Sequence, residues 1–311
     1  MIDDTLRGCL ERIEKRDLPC WLYGLTKEAK SYLISLLKRR VKGFFLFVSP
    51  SYSEANDTYQ DLLTFLPRED EVLLLPSQEK DSRGRRLKIF HQLREKSSIL
   101  LVTPLSSLVQ KTPSLTVLAQ DVLCIKKGEE INREALLKQL TEKGYKFSPL
   151  VEEEGDYSFR GGIIDFYSPL YSHPIRIELF GERVESIREF DPLSQSSIKR
   201  RKEVIISSRD ELSLIEKGNE KPLPLFEVFS SFIYILDEPM DLQNQMENWK
   251  CSDIQMFKKL LKRPHLYLST LPQRTSWMRP KHTFSLSLIH ISEPTRLLSI
   301  SYAVFCFKKK N

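Results

Sequence analysis

Short apolar runs alternate with helix-spaced apolar positions along residues 1–118. Gly43–Val48 reads as a strand, followed by a helix that places Ala55, Tyr59, Leu62, Leu63 and Leu66 on one face. Val72–Leu75 is a second strand, a helix over Arg85–Arg94 turns Leu87 and Phe90 inward, and Ile99–Thr103 is a third strand closed by Pro104. Continuous apolar strands between helices predict a parallel sheet covered on both faces. The pattern then changes. Val122–Lys126 reads as a short strand, and Asn132 caps a helix with Ala135, Leu136 and Leu140 inward. Strands follow at Tyr157–Arg160, Ile163–Tyr167, Ile175–Phe180 and Arg183–Phe190, the last two joined by Gly181-Glu182, which suits a type II′ hairpin. After Val204 the chain is polar and Pro-punctuated, with one clear strand at Phe232–Leu236. The expected organisation is an α/β part over 1–118, a small α+β domain inserted over 119–203, and an incomplete return to the α/β part over 204–285.

Composition narrows the classes. Hydrophobic residues are 41% and charged ones 29% of 311 residues, as in a soluble globular protein with a core. No apolar run approaches the ~20 residues of a membrane span, and Ile2-Asp3-Asp4 does not open a signal peptide. Cys9, Cys20, Cys124, Cys251 and Cys306 are scattered and odd in number, pointing to reduced thiols in a cytoplasmic protein. His91, His173, His265, His282 and His290 show no metal-ligand spacing, so no metal set and no catalytic residue is assigned.

Residues 286–311 stand apart. Leu286 to Arg296 and Ile300 to Cys306 back-translate to two ends of a sequencing-library adapter, separated by the codons of Leu297, Leu298 and Ser299. Lys308 to Lys310 then resemble translated poly-A. On this reading the tail is not natural sequence and the natural protein is longer. The net charge of +6 falls to +3 without the tail, which weakens the argument for a generic DNA-binding domain. The run Lys199-Arg200-Arg201-Lys202 reads either as a solvated linker or as a phosphate contact.

Two stretches look like halves of a nucleotide site. Gly24-Leu25-Thr26-Lys27-Glu28-Ala29-Lys30-Ser31 keeps Gly24, Lys30 and Ser31 of a phosphate-binding loop, with Ala29 in place of its second Gly. The Cβ of Ala29, the bulk of Lys27 and the charge of Glu28 oppose the backbone curl that cradles phosphate. Asp237-Glu238, after four apolar residues, resembles the strand-end acidic pair that holds Mg²⁺ in nucleotide hydrolases, but continues with Pro239. Together they suggest a nucleotide fold that has lost its catalysis.

The richest stretch runs from Arg160-Gly161-Gly162 through Pro174–Gly181. Alternation sends Ile175, Ile177 and Leu179 to the core and Arg176, Glu178 and Phe180 to the outer face. A Phe among charges on an outer face marks either a partner surface or an edge packed under a neighbouring domain.

Glu154–Phe166, Pro174–Asp191 and Ser194-Gln195-Ser196 resemble the bacterial transcription-repair coupling factor family, in its UvrB-homologous N-terminal module. The resemblance implies a RecA-like parallel sheet with a degenerate nucleotide site (Gly24, Ala29, Lys30, Ser31, Asp237 and Glu238) and an inserted UvrA-binding domain. It implies UvrA as partner through Arg160, Arg176 and Phe180, with the two arginines pairing with partner carboxylates. It also implies that translocase and RNA-polymerase-binding parts, with their ATP, Mg²⁺ and double-stranded DNA, lie outside this fragment, which itself needs no cofactor. In the full-length family the docking surface is masked by the C-terminal domain. The alternative is a UvrB-type ATP-dependent repair enzyme, which needs an intact phosphate loop and an aromatic-rich DNA-clamping hairpin.

Overall fold

The computed structural model describes residues 4–66, 71–78, 83–217, 221–247 and 249–286. Two compact units emerge, one from 1–72, 100–102 and 232 onward, the other from 73–99 and 103–231.

The larger sheet has seven strands. Its strands run in the order His282–Ser285, Cys20–Tyr23, His265–Ser269, Ile233–Asp237, Phe44–Ser49, Ile99–Pro104 and Val72–Leu74. The first five pair in parallel, and strands such as Ile233–Asp237 and His265–Ser269 are buried along their whole length, as expected for a sheet covered on both faces. The helix Tyr52–Phe65 starts at a capping box, with Ser51 and Glu54 each satisfying the other's backbone N–H. The helix Lys27–Arg40 starts at Thr26, whose hydroxyl accepts the Ala29 N–H at 3.4 Å, and buries Leu33, Ile34 and Leu37. The strands Cys20–Tyr23, His265–Ser269 and His282–Ser285 are additions to the sequence reading. Leu286 follows the last of them and donates its N–H to the Tyr23 carbonyl at 2.9 Å. The rest of the adapter-like tail, 287–311, lies outside the described residues.

The second unit is organised by a six-stranded sheet in the order Ser197–Arg201, Arg183–Phe190, Ile175–Phe180, Ile163–Phe166, Asp156–Arg160 and Lys146–Phe147. Its inner face meets the helix Arg133–Glu142 and the strand pair Leu123–Lys126 with Glu203–Ile206. The shared core holds Leu136, Leu140, Tyr157, Ile164, Phe166, Ile175, Ile177 and Ile187. Asn132 caps the helix as expected, accepting the Ala135 N–H at 2.9 Å, but Ala135 itself is exposed. It lies on the first turn of the helix. Across Gly181-Glu182 the pairing of Phe180 with Arg183 leaves a two-residue loop, and Gly181 takes φ +63°, which fits the expected hairpin.

A buried ion pair lies within this unit. Arg86 and Glu211 are both fully buried, with Nε to Oε1 at 2.9 Å, and Arg86 Nη1 donates to the Pro76 carbonyl at 2.6 Å.

Among the described residues, no helix is long and apolar enough to cross a membrane. No group of three or more His, Cys, Asp or Glu among them could hold a metal ion.

Candidate functional site

The outer face of the six-stranded sheet is built by strand alternation. Register places Ser158, Asp165, Arg176, Arg188 and Arg200 in one cross-strand row, with Arg160, Ile163, Glu178 and Ser186 in the next. Cross-strand neighbours on one face are the units that stabilise a sheet, and here they are mostly charged. The guanidinium of Arg176 forms a fork with Asp165, Nε to Oδ1 at 2.7 Å and Nη2 to Oδ2 at 2.8 Å. Nη2 also reaches Gln195 Oε1 at 2.8 Å, and the cation lies 4.4 Å above the Phe190 ring. Hydrogen bonds that Arg176 donates to Asp165 lead the effects that hold it above the usual arginine range, with burial opposing them.

The loop after Phe190 keeps that arrangement in place. Asp191 Oδ1 accepts the N–H groups of Leu193 and Ser194, and Gln195 adopts φ +59° with its amide nitrogen on the Pro192 carbonyl. The expected pairing of Arg176 with a partner carboxylate therefore meets an arginine already held by its own chain. Nε and Nη2 are taken, and among the described residues Nη1 is the nitrogen left to an incoming acceptor.

Arg160 and Arg176 come together along a cleft of about 220 Å³ that also touches Leu150, Phe159, Asp165 and Gln195. Arg160 is exposed, and its Nη2 donates to the Pro149 carbonyl at 3.2 Å. Phe180 is outside that cleft, at the hairpin end of its strand, with 81% of its surface exposed. The ring therefore is not part of the unit's own core.

Gly161 and Gly162 set this end of the sheet. Gly161 takes φ +57° in the turn between Arg160 and Ile163. Gly162 is needed for closeness: a Cβ there would sit 2.5 Å from the Leu179 carbonyl oxygen, while the Gly162 carbonyl accepts the Leu179 N–H at 2.7 Å.

In the first unit, the two halves of the suspected nucleotide site meet and close on each other. Lys30 is buried, and its Nζ bonds Asp237 Oδ1 at 2.7 Å and also Glu238 Oε1. Glu238 Oε1 in turn accepts the N–H and hydroxyl of Thr270 at 2.9 and 2.6 Å. Burial works against the charge of Lys30, but the two carboxylates hold its ammonium above the ordinary lysine range. Burial pushes the Asp237 carboxyl up to about 6, with Lys30 pulling the other way. Ser31 is buried, and its hydroxyl donates to the Lys27 carbonyl at 3.3 Å. Gly24 takes φ +83° before the helix, and Ala29 already lies in the first helical turn with its N–H capped by Thr26.

The lysine that would meet phosphate neutralises the acids that would meet the metal, and the hydroxyl that would join the metal is turned into the helix.

Residues 123–212 match the UvrB interaction domain. Over 210 residues the chain is 31% identical to the transcription-repair-coupling factor of Myxococcus xanthus, and over 215 residues 32% identical to that of Bacillus subtilis (strain 168). The similarity to the Staphylococcus aureus (strain bovine RF122 / ET3-1) factor is 29% over 204 residues. These stretches cover 62%, 63% and 62% of the chain but only 18%, 18% and 17% of the relatives, so the chain spans less than a fifth of the proteins it matches. The domain match contains the whole outer-face row and both hairpins.

Proposed function

We propose that this chain is a recruitment module, an N-terminal piece of a transcription-repair coupling factor that docks UvrA through the outer face of its six-stranded sheet. The observation that carries this reading is Phe180, an apolar ring 81% exposed beside a charged sheet face within the matched domain. Aromatic and arginine side chains are enriched where partners bind, and a few such anchors supply most of the binding energy. Phe180 is the apolar anchor. Arg160 and the free Nη1 of Arg176 offer donors to carboxylates, while Asp165, Gln195 and Phe190 hold Arg176 in position.

The fragment performs no ATP chemistry on this reading, which disfavours a UvrB-type ATP-dependent enzyme. Lys30 is locked to Asp237 and Glu238, and the phosphate-loop backbone is capped by its own threonine. Translocation along double-stranded DNA, with ATP and Mg²⁺, and contact with RNA polymerase belong to the longer parent protein. The protein works in the cytoplasm, where UvrA and RNA polymerase meet DNA.

Alanine at Phe180 and Arg160 tests the assignment in a UvrA capture assay with purified proteins. Burying an exposed Phe is worth about 2–3 kcal/mol, so Phe180→Ala should weaken capture roughly 30- to 150-fold. Arg160→Ala should weaken it less, by about tenfold. Unchanged capture by both variants would remove the outer face as the docking site.

A further inference from the structure

Three arginines stand side by side on the outer face. Arg176 pairs with Arg188 across one strand boundary, and Arg188 pairs with Arg200 across the next. Like charges directly opposite each other destabilise a sheet unless something compensates them. Two of the three are compensated within the chain, Arg176 by Asp165 and Arg188 by Glu178, whose Oε1 lies 2.5 Å from Arg188 Nη2. Arg200 is exposed, and among the described residues the structure gives its guanidinium no counter-ion.

The neighbouring residue shows that this is a matter of placement. Arg201 points to the opposite face, bonds Glu189, and lies 4.7 Å above the Tyr171 ring. Guarding the open edge of the sheet accounts for basic residues along Ser197–Arg201, and the register shift there makes Ile198 an extra, bulged residue that discourages strand addition. Edge protection does not account for a third guanidinium set level with two others on the face. A local rule broken without an internal compensation is the mark of a functional position.

We propose that Arg200 extends the docking face and receives a carboxylate from an acidic segment of the partner protein, bridging to Arg188. The inference rests on the recruitment reading and adds a residue to it. Adjacent strands lie about 4.8 Å apart, so the row presents cations at a spacing close to the ~5–6 Å between i and i+4 side chains of a helix. An acidic helix with carboxylates on successive turns therefore matches Arg188 and Arg200 together. A nucleic-acid backbone fits less well. The face interleaves Asp165 and Glu178 with the arginines, and a continuous line of phosphates would meet these carboxylates as well.

The test is a titration of the 311-residue chain and its variants with UvrA at about 50 and 200 mM salt. Arg200→Glu should raise Kd on the order of 10-fold, Arg200→Ala about 3-fold, and Arg200→Lys less than about 2-fold, chiefly through the association rate. The loss should shrink at the higher salt, and the unfolding midpoint should not move. If Phe180→Ala weakens UvrA binding while Arg200→Glu does not, the role of Arg200 is refuted and the recruitment reading stands. If neither variant weakens binding, the recruitment reading itself falls. Affinity for duplex DNA that drops in Arg200→Glu while UvrA binding is untouched would also overturn the proposal, by assigning the cation to phosphate.

Discussion

Replacing Lys30 with alanine separates a structural lock from a nucleotide site. In the parent chain Asp237 titrates at about 6, so above that pH it is ionised and paired with Lys30. Without the ammonium, burial keeps the Asp237 proton on to higher pH in the folded state, while the unfolded carboxyl ionises near its ordinary value of 3.8. The folded variant then binds more protons than the unfolded one, so its stability falls as pH rises, by about 1.4 kcal/mol per unit. The parent stops losing stability through this group above about 6. The two curves therefore separate progressively as pH rises above about 6. The lost hydrogen bonds and packed lysine stem add about 1–2 kcal/mol at every pH.

Urea melts followed by tryptophan fluorescence suit the measurement, because Trp21, Trp249 and Trp277 all belong to the first unit. The account predicts a gap between parent and Lys30→Ala that widens from pH 6 to pH 8. It also predicts no shift of the parent midpoint with Mg-ATP, whereas ligand at 100 times its Kd would add about 2.7 kcal/mol. A pH-independent gap, or stabilisation by Mg-ATP that Lys30→Ala abolishes, would refute the lock.

Two further outcomes follow from the second unit. Gly162→Ala sets a Cβ against the Leu179 carbonyl and should cost about 1–3 kcal/mol in chemical denaturation while weakening UvrA binding, since the displaced strand carries Phe180. A variant as stable as the parent would show that the close approach is not required. Burial holds His91 down at about 4, with Arg94 and Lys143 adding to burial and Asp121 opposing it. Below about pH 6.5 the unfolded chain takes up a proton that the folded one refuses, so stability should drop by up to about 3 kcal/mol between pH 6.5 and 4. His91→Gln should flatten that slope in melts read by far-UV circular dichroism, and an unchanged slope would assign it to other groups.

What the sequence made legible was decided by element length and by distance along the chain. Ile175–Phe180 and Arg183–Phe190 show full alternation around a glycine turn, and both strands occupy their expected ranges with Phe180 outward. Cys20–Tyr23 and His265–Ser269 hold only four and five residues and mix polar with apolar types, too short for a period to emerge. Side-chain commitments were harder still. The fork between Arg176 and Asp165 depends on the register of two antiparallel strands, and alternation alone shows an outward cation without showing what it holds. Arg86 is buried because Glu211 meets it from a helix distant in sequence, a pairing that no local period reveals. The departures from a phosphate loop and from a strand-end acidic pair were visible in Ala29 and Pro239. That Lys30 turns onto Asp237 and Glu238 emerges only once the parallel sheet brings residues 207 and 208 positions apart together.

A calorimetric titration of UvrA with this chain in nucleotide-free buffer, repeated with Mg-ATP and with Phe180→Ala, tests the central claim most directly. The account predicts saturable one-to-one binding without nucleotide, the same affinity when Mg-ATP is present, and a loss of about 2–3 kcal/mol in the variant. No heat of binding without ATP, or a Phe180→Ala isotherm superimposable on the parent's, would contradict it.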